Sequence, residues 1–447
     1  MAASSAASTY YWSLNFKGLK MNCFEELKAR GFCYQATDEA KISQMLNEGK
    51  VTFYVGFDPT GSSLHVGHLL PVMAMRILQK AGHTPIVLVG GATARIGDPS
   101  GKSTARPMLS IEEIDANAAS LRDQLSRFID GSEGKAHFVN NAEWLCQLGY
   151  IDLLREVGSI FSVNRMLSQE SVKMRLETGL SFLEFNYSIL QAYDFMTLRR
   201  KFGCTLEMGG QDQWGNMVAG TELIRRKDGA EVHCMTIPLL LDPNGQKFGK
   251  STGNKNVWLD KERTSVFDYY QFWRNTDDAD VCRLLLYFTN LPKAEIEALT
   301  AEGANINRAK EILAYEATAL AHGTDEAAKA FAAAGSKFGF ADPEGKVQTS
   351  SAVKDVDMAK AAASAVSDLP TYELELPADG IWIVQLLADA GLCKSNGEAR
   401  RLIQAGGAYF NDERITDMNR IVTAADFKDG AAMAKTGKKN VKRIILK

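Results

Sequence analysis

The chain predicts an α/β fold built on a doubly wound parallel sheet, and three stretches carry that expectation. Residues 51–57 are dense in β-branched and aromatic side chains, the composition of a strand. From about Gly67 to Gln79 the apolar residues recur at helical spacing. Residues 83–91 then read as a short buried strand closed by Gly90 and Gly91. Strand, helix and strand in such close succession make a βαβ unit, which requires parallel strands and a right-handed crossover. Ligands on such sheets bind beyond the carboxyl ends of the strands, where both Asp58-Pro59-Thr60-Gly61 and the loop after Gly91 fall.

The other elements follow in order. Helices are expected at 23–30 and 38–47, ahead of the first strand. That strand breaks at Asp58-Pro59-Thr60-Gly61, where proline fixes φ and glycine relieves the backbone. After the second strand come a helix at 110–129, a strand at 136–140, helices from about 143 to 176 and a helix over 182–200. A strand at 204–208, a flexible loop at 209–214, a helix ending in Arg225-Arg226-Lys227 and a strand at 234–241 complete this part. Residues 264–338 are helical in pattern and rich in Ala and Leu. A linker is expected over 341–376, with Asp342-Pro343-Glu344-Gly345, alanine-rich segments, Pro370 and Pro377, before a last unit that becomes compact near Ile381.

Composition narrows the function classes. At 447 residues, 45% hydrophobic and 23% charged, the chain suits a soluble enzyme of two or three domains, and no apolar run reaches the length of a membrane span. Seven cysteines occur singly with no C-x-x-C pair, which argues for reduced thiols in a cytosol-like compartment. The net charge of −3 is unevenly spread: from Pro377 onward twelve Lys/Arg stand against eight Asp/Glu, leaving −7 on the remainder. A basic end piece on an acidic body suggests a polyanionic partner for that piece. Residues 1–20, Ala/Ser-rich with only Lys17 and Lys20 charged, read as an extension expected to be disordered, without the charged start and apolar core of a secretory signal, and Met21 is a second possible start.

Four stretches carry chemistry. His65 and His68 are three apart, on one face at the start of the helix, where free N–H groups and the dipole favour phosphate. Gly67 between them would let a ring lie on the backbone. Ile96-Gly97-Asp98-Pro99-Ser100-Gly101-Lys102-Ser103 invites a P-loop reading, but Ile96 stands where a Walker motif needs glycine, so a charged surface loop remains the plainer alternative. Tyr187, Gln191 and Asp194 share one helical face and, if buried, must find partners, either each other or a ligand. Lys247-Phe248-Gly249-Lys250-Ser251 places two ammonium groups around a glycine, where they could meet oxyanions.

The order Asp-Pro-Thr-Gly, His65-Val66-Gly67-His68, Gly-Asp-Pro-Ser-Gly-Lys and Lys-Phe-Gly-Lys-Ser resembles class I aminoacyl-tRNA synthetases, in particular the bacterial-type tyrosyl enzymes. The resemblance implies a Rossmann-like catalytic domain over 21–250 with an inserted dimerisation region, then an α-helical anticodon-region domain over 251–340. It also implies a small α+β RNA-binding domain of the S-four type over 377–447, because residues 395–411 read as a capped helix with Arg400-Arg401, a Gly-Gly stop and a strand. The implied reaction joins L-tyrosine to ATP as an adenylate, releasing pyrophosphate, and then to the 3′-terminal ribose of tRNA(Tyr). ATP would enter as substrate with Mg²⁺ on its phosphates and no dedicated protein metal site, in a cytoplasmic homodimer without membrane contact.

The residue roles implied are specific. Tyr54 and Asp194 would bond the substrate phenol, Asp98, Tyr187 and Gln191 its ammonium, and Gln213 would lie near its carboxylate. Gly56, Asp58, His65, Gly67, His68, Gly210, Asp212, Lys247, Phe248 and Lys250 would line the nucleotide, Asp212 at the ribose. Thr60, His65, His68, Lys102, Arg106, Lys247, Lys250 and Ser251 would face the phosphates. Arg225, Arg226 and Lys227 would meet the tRNA acceptor end, and Arg400, Arg401, Lys438, Lys439, Lys442 and Arg443 would form the phosphate-facing surface of the last domain. Glu207 departs from the glutamine expected there in the better-known bacterial members and adds a carboxylate near the site. A tryptophanyl enzyme would not need Tyr54 and Asp194 together, while an RNA-binding regulator without activity would not need both signatures.

Overall fold

The computed structural model describes residues 22–100, 108–241, 248, 250–251, 255–361, 371–411, 413–428, 430–437 and 440–447, in two compact units that divide between Asp355 and Val356. The first unit is built on six strands: β1 (Gln35–Ala36), β2 (Thr52–Phe57), β3 (Thr84–Val89), β4 (His137–Asn140), β5 (Cys204–Gly210) and β6 (His233–Ile237). Their spatial order is β1-β6-β5-β2-β3-β4, with β2 to β6 parallel and β1 antiparallel to β6. The chain runs β2, β3, β4 towards one edge and returns on the other side of β2 with β5 and β6. The switch point therefore lies between β2 and β5, where a doubly wound sheet opens its ligand crevice. Every residue of β3 is buried, as befits a parallel strand with both faces covered.

The helix Val66–Lys80 connects β2 to β3, and Tyr187–Phe202 packs against Trp214–Asp228 over β5. Gly220 permits the close crossing of that pair, since a Cβ there would lie 3.1 Å from the Phe195 ring. Tyr54, Ile86, Leu88, Phe195, Met196 and Met217 belong to the core between them. Helices Val266–Arg274, Val281–Phe288, Lys293–Leu299, Ile306–His322 and Thr324–Phe338 pack around the fully buried Trp273 region, as the Ala/Leu-rich pattern leads one to expect.

Three boundaries differ from the sequence expectation for physical reasons. The helix expected over 182–200 is two, Phe182–Phe185 and Tyr187–Phe202, joined at Asn186; a Ser181–Glu184 capping box starts the first. Gly209 and Gly210 are not a loose turn but the end of β5, paired with Thr236 and Ile237. The strand expected to reach 241 stops at Ile237 because Pro238 has no N–H to donate.

The stretch 341–376, expected as a linker, is packed at both ends. Asp342 accepts the backbone N–H groups of Lys346 and Val347, and the Ser351 hydroxyl donates to the buried Glu316 at 2.6 Å, so residues up to 355 adhere to the helical part. At its other end Thr371–Leu374 pairs in parallel with Asn440–Leu446.

That pairing belongs to the second unit, a five-stranded sheet of Glu413–Arg414, Ala408–Phe410, Ala431–Thr436, Asn440–Leu446 and Thr371–Leu374, in that spatial order. Helices Ile383–Asp389 and Asn396–Gln404 cover it through Leu386, Leu387, Ala399 and Ile403. Ser395 caps the second helix by accepting the Glu398 N–H at 3.3 Å. Gly406 ends the approach to the next strand with φ +70°, and a side chain there would collide with Arg414.

Candidate active site

The first signature caps its helix with its own histidines. His65 is the N-cap: its Nδ1 accepts the Gly67 N–H at 3.1 Å, while its backbone N–H donates to His68 Nδ1 at 3.1 Å. The rings stack with centroids 3.9 Å apart. Because each Nδ1 accepts a hydrogen bond, each neutral imidazole carries its proton on Nε2, a donor suited to phosphate oxygen. Gly67 is needed for a reason the sequence did not show. A Cβ there would sit 2.9 Å from His65 Cε1, so glycine leaves room for the His65 ring to cap the helix. Gly56, in contrast, is exposed, with only Leu88 within 4.0 Å of a would-be Cβ. Thr60 lies exposed in the loop that follows, its N–H donating to the Asp58 carbonyl.

The second signature is delivered to the first by strand pairing. Lys250–Ser251 pairs with Lys255–Asn256, and the chain then runs beside the first signature, Val257 O accepting from Val66 N and Leu259 N donating to Leu64 O. Trp258 bridges His65 along the backbone, with ring centroids 6.0 Å apart. Phe248 packs on Phe272 and Trp273. Its ring is thus packed into the helical part. Lys102, Arg106, Lys247 and Gly249 lie outside the described residues, as do the side chains of Lys250 and Ser251.

At the switch point four acids converge. Asp58 accepts the Thr93 hydroxyl at 2.7 Å and the Tyr187 hydroxyl at 2.9 Å, so it links the first signature to the polar helix face. Gly90 makes this possible, since a Cβ would fall 2.0 Å from Asp58 Oδ1. Asp98 accepts Gln213 Nε2 at 2.7 Å and the Ser100 N–H at 3.0 Å. Asp194, 2% exposed, accepts Asn141 Nδ2 at 2.9 Å and Trp144 Nε1 at 2.7 Å. Gln191 Nε2 donates to Glu207 at 3.0 Å. Gly210 permits the close approach of Asp212, whose carboxylate would lie 2.7 Å from a Cβ there.

Burial dominates the electrostatics. It raises the Asp194 carboxyl to about 8, against the two donors that hold it, with Asp58 and Glu207 adding repulsion. Burial likewise raises Glu207 to about 7. The Tyr187 hydroxyl is raised by burial, then by Asp58 and Asp98. Tyr54 is raised by burial and by Glu207, yet its hydroxyl makes no hydrogen bond of good geometry, nor does Glu207 Oε2. The crevice therefore gathers buried acids whose ionisation is costly, and a ligand with a cationic and a hydroxyl end would offset that cost.

Thus Tyr54, Asp58, Asp98, Tyr187, Gln191, Asp194 and Gln213 converge, with the two histidines on the adjoining loop and helix. Sequence reasoning missed Thr93, Asn141 and Trp144. Asn141 is fully buried and ties the loop to Asp194 by donating to Thr93 Oγ1 at 3.0 Å and accepting the Ala92 N–H at 2.8 Å. The one available signal was position, just past the carboxyl end of β4.

The cations expected at nucleic acid are partly spoken for. Arg225 and Arg226 both pair with Glu222, whose carboxyl the Arg225 bond pulls down to about 2, and Lys227 meets Glu156 at 3.3 Å. In the second unit Arg400 and Arg401 are exposed, Arg400 lying over the Trp382 ring at 4.9 Å. Lys442 and Arg443 lie on the last strand, and Lys438 and Lys439 fall outside the described residues.

Residues 46–339 match the family described as tRNA synthetases class I (W and Y), and residues 361–444 match the tyrosine–tRNA ligase SYY-like C-terminal domain. A tyrosine–tRNA ligase of Clostridium tetani is 49% identical over 426 residues, 95% of this chain and 99% of that protein. One from Clostridium beijerinckii is 47% identical over 427 residues, 95% of this chain and all of that protein. Among solved structures, a C-terminally truncated mitochondrial tyrosyl-tRNA synthetase of Aspergillus nidulans aligns with a TM-score of 0.63 and 30% identity. It covers 75% of this chain and 99% of its own. A tyrosyl-tRNA synthetase of Archaeoglobus fulgidus, at 21% identity and TM-score 0.53 over 69% of this chain and 99% of its own, shares the fold.

Proposed function

The chain belongs to the class I tRNA synthetases (W and Y), and on that premise we propose how its residues perform the reaction of a tyrosine–tRNA ligase, a reaction its relatives share. L-Tyrosine enters the crevice at the switch point, its phenol donating to Asp194 and meeting Tyr54. Its ammonium is met by Asp98, Tyr187 and Gln191, and its carboxylate lies near Gln213. ATP lies along the first signature, with Gly56, Gly67 and Gly210 lining it, Asp212 at the ribose, and Asp58 tying the nucleotide loop to Tyr187. The histidine Nε2–H groups and Thr60 face the phosphates, and Lys102, Arg106, Lys247, Lys250 and Ser251 complete the charged ring.

The substrate carboxylate is already a nucleophile, so no strong base is required. Its oxygen bonds to the α-phosphorus as the bond to pyrophosphate breaks, and positioned cations stabilise the charge on the departing group. Mg²⁺ would ride on the phosphates and neutralise part of their charge. The tyrosyl group then passes to a terminal ribose hydroxyl of tRNA(Tyr), releasing AMP. Arg225, Arg226 and Lys227 face the acceptor end, and Arg400, Arg401, Lys438, Lys439, Lys442 and Arg443 the tRNA backbone.

The observation that carries the reading is the buried Asp194, held by two donors beside the unpartnered Tyr54 hydroxyl. An acceptor so placed is satisfied by tyrosine and left short by phenylalanine or tryptophan. The test is exchange of labelled pyrophosphate into ATP with each amino acid in turn: tyrosine should support it, and exchange with tryptophan instead would overturn the reading.

Self-association as a homodimer is supported by exposed apolar side chains gathered on 150–183, among them Tyr150, Ile151, Val163, Met174 and Phe182. No helix among the described residues is long and apolar enough to cross a membrane, and a cytoplasmic site of action fits the seven free cysteines.

A further inference from the structure

Glu207 stands on β5 directly opposite Tyr54 on β2 and is 2% exposed. One oxygen accepts from Gln191 Nε2 at 3.0 Å; the other has no hydrogen-bond partner, like the Tyr54 hydroxyl beside it. Among the described residues no cation faces this carboxyl. The groups around it are Tyr54 from β2, Gln191 and Asp194 from the helix above, Cys204 on its own strand and Cys234 on β6.

A side-chain amide can present either its NH₂ or its carbonyl oxygen to a neighbour. A carboxylate can only accept, so it removes the choice. With Glu207 ionised, Gln191 must turn its NH₂ to Glu207 and its carbonyl oxygen away, towards the crevice. A carbonyl oxygen is what an ammonium ion needs.

We propose that Glu207 is a positioning residue that sets the direction of the Gln191 amide, and thereby the pocket's preference for a ligand that carries an ammonium group. This rests on the reading of the crevice as the tyrosine site. Protonation makes Glu207 a possible donor and releases the amide, so affinity for amines should weaken as the pH falls below about 7. Asp194 contributes a separate limb near pH 8, which follows the phenol and not the amine.

Calorimetry on the full chain, wild type and Glu207→Gln, with three ligands at pH 8 tests this. The ligands are L-tyrosine, tyramine, which keeps the ammonium, and 3-(4-hydroxyphenyl)propionate, which lacks it. In Glu207→Gln the position can present an NH₂ to the Gln191 oxygen, so tyrosine and tyramine should each weaken about tenfold. The desamino acid should stay within about twofold, and the loss of tyramine affinity between pH 8 and 6 should flatten. Equal weakening of all three ligands would mark general damage to the pocket and overturn the proposal, as would no change in any. If the wild type binds no phenolic ligand, the tyrosine-site reading fails first, and the inference with it.

Discussion

Replacing Trp144 by phenylalanine removes one atom group of consequence, the indole N–H that donates to Asp194 Oδ1 at 2.7 Å. The other oxygen keeps its bond to Asn141. Asp194 is 2% exposed, so no water compensates the first oxygen, and a hydrogen bond to a charged group is worth about 1.5–3 kcal/mol. At about 1.4 kcal/mol per factor of ten, the carboxylate form is disfavoured roughly 10- to 150-fold. Tyrosine needs that form to receive its phenol, whereas phenylalanine does not use it. In pyrophosphate exchange, kcat/KM for tyrosine should therefore fall by at least about tenfold, with phenylalanine little changed. The smaller ring and the lost contact with Lys201, whose ammonium lies 5.2 Å from the indole, cost some stability as well. A thermal melt must therefore show the variant folded at the assay temperature. A variant that is folded and keeps the wild-type tyrosine-to-phenylalanine ratio would refute the role given to the Trp144 bond, as would an equal fall for both substrates.

Three further outcomes follow from the same geometry. His65→Ala should cost about 1 kcal/mol of unfolding free energy through loss of the N-cap, while His65→Asn should recover that stability but not the exchange rate; recovery of both would remove His65 from the chemistry. In the ligand-free protein, Asp194 and Glu207 have folded pKa values raised to about 8 and about 7, above the usual carboxylate value near 4. Their contribution is full below pH 4 and is lost as pH rises towards 7 and 8, so chemical denaturation between pH 5 and 8 should show a steeper decline for wild type than for Asp194→Asn. Phe182, 67% exposed, should on replacement by Asp disrupt the proposed homodimer and lower the sedimentation coefficient in analytical ultracentrifugation, and an unchanged coefficient would exclude that surface as the interface.

The parts of the fold legible in the sequence were those fixed by local rules. The βαβ unit announced itself because strand, turn and helix each have a short-range signature, and Asp-Pro-Thr-Gly punctuates it. The spacing of Tyr187, Gln191 and Asp194 put them on one face before any partner was known. What stayed hidden depends on residues distant in the chain. Asn141 and Trp144 reach Asp194 across 53 and 50 positions, and no periodicity marks either. Gly67 was read as room for a ligand, and its need to clear the ring of His65, two residues away, showed only in the structure. Acidic side chains on the helices drew in the first part of the expected linker, through contacts such as Ser351 with Glu316, and composition alone cannot register such contacts.

The central claim is that a buried carboxylate reads a hydroxyl group, and equilibrium binding tests it with the fewest intervening steps. Calorimetric titration of the full chain with L-tyrosine and with L-phenylalanine, without ATP, compares two ligands that differ by one oxygen atom. Above pH 8, where Asp194 is ionised, leaving one acceptor site of this buried carboxylate unmet costs up to roughly 3 kcal/mol, so tyrosine should bind on the order of 100-fold more tightly. Affinities within threefold of each other would contradict the account, because Asp194 would then be indifferent to the hydroxyl it is held in place to meet.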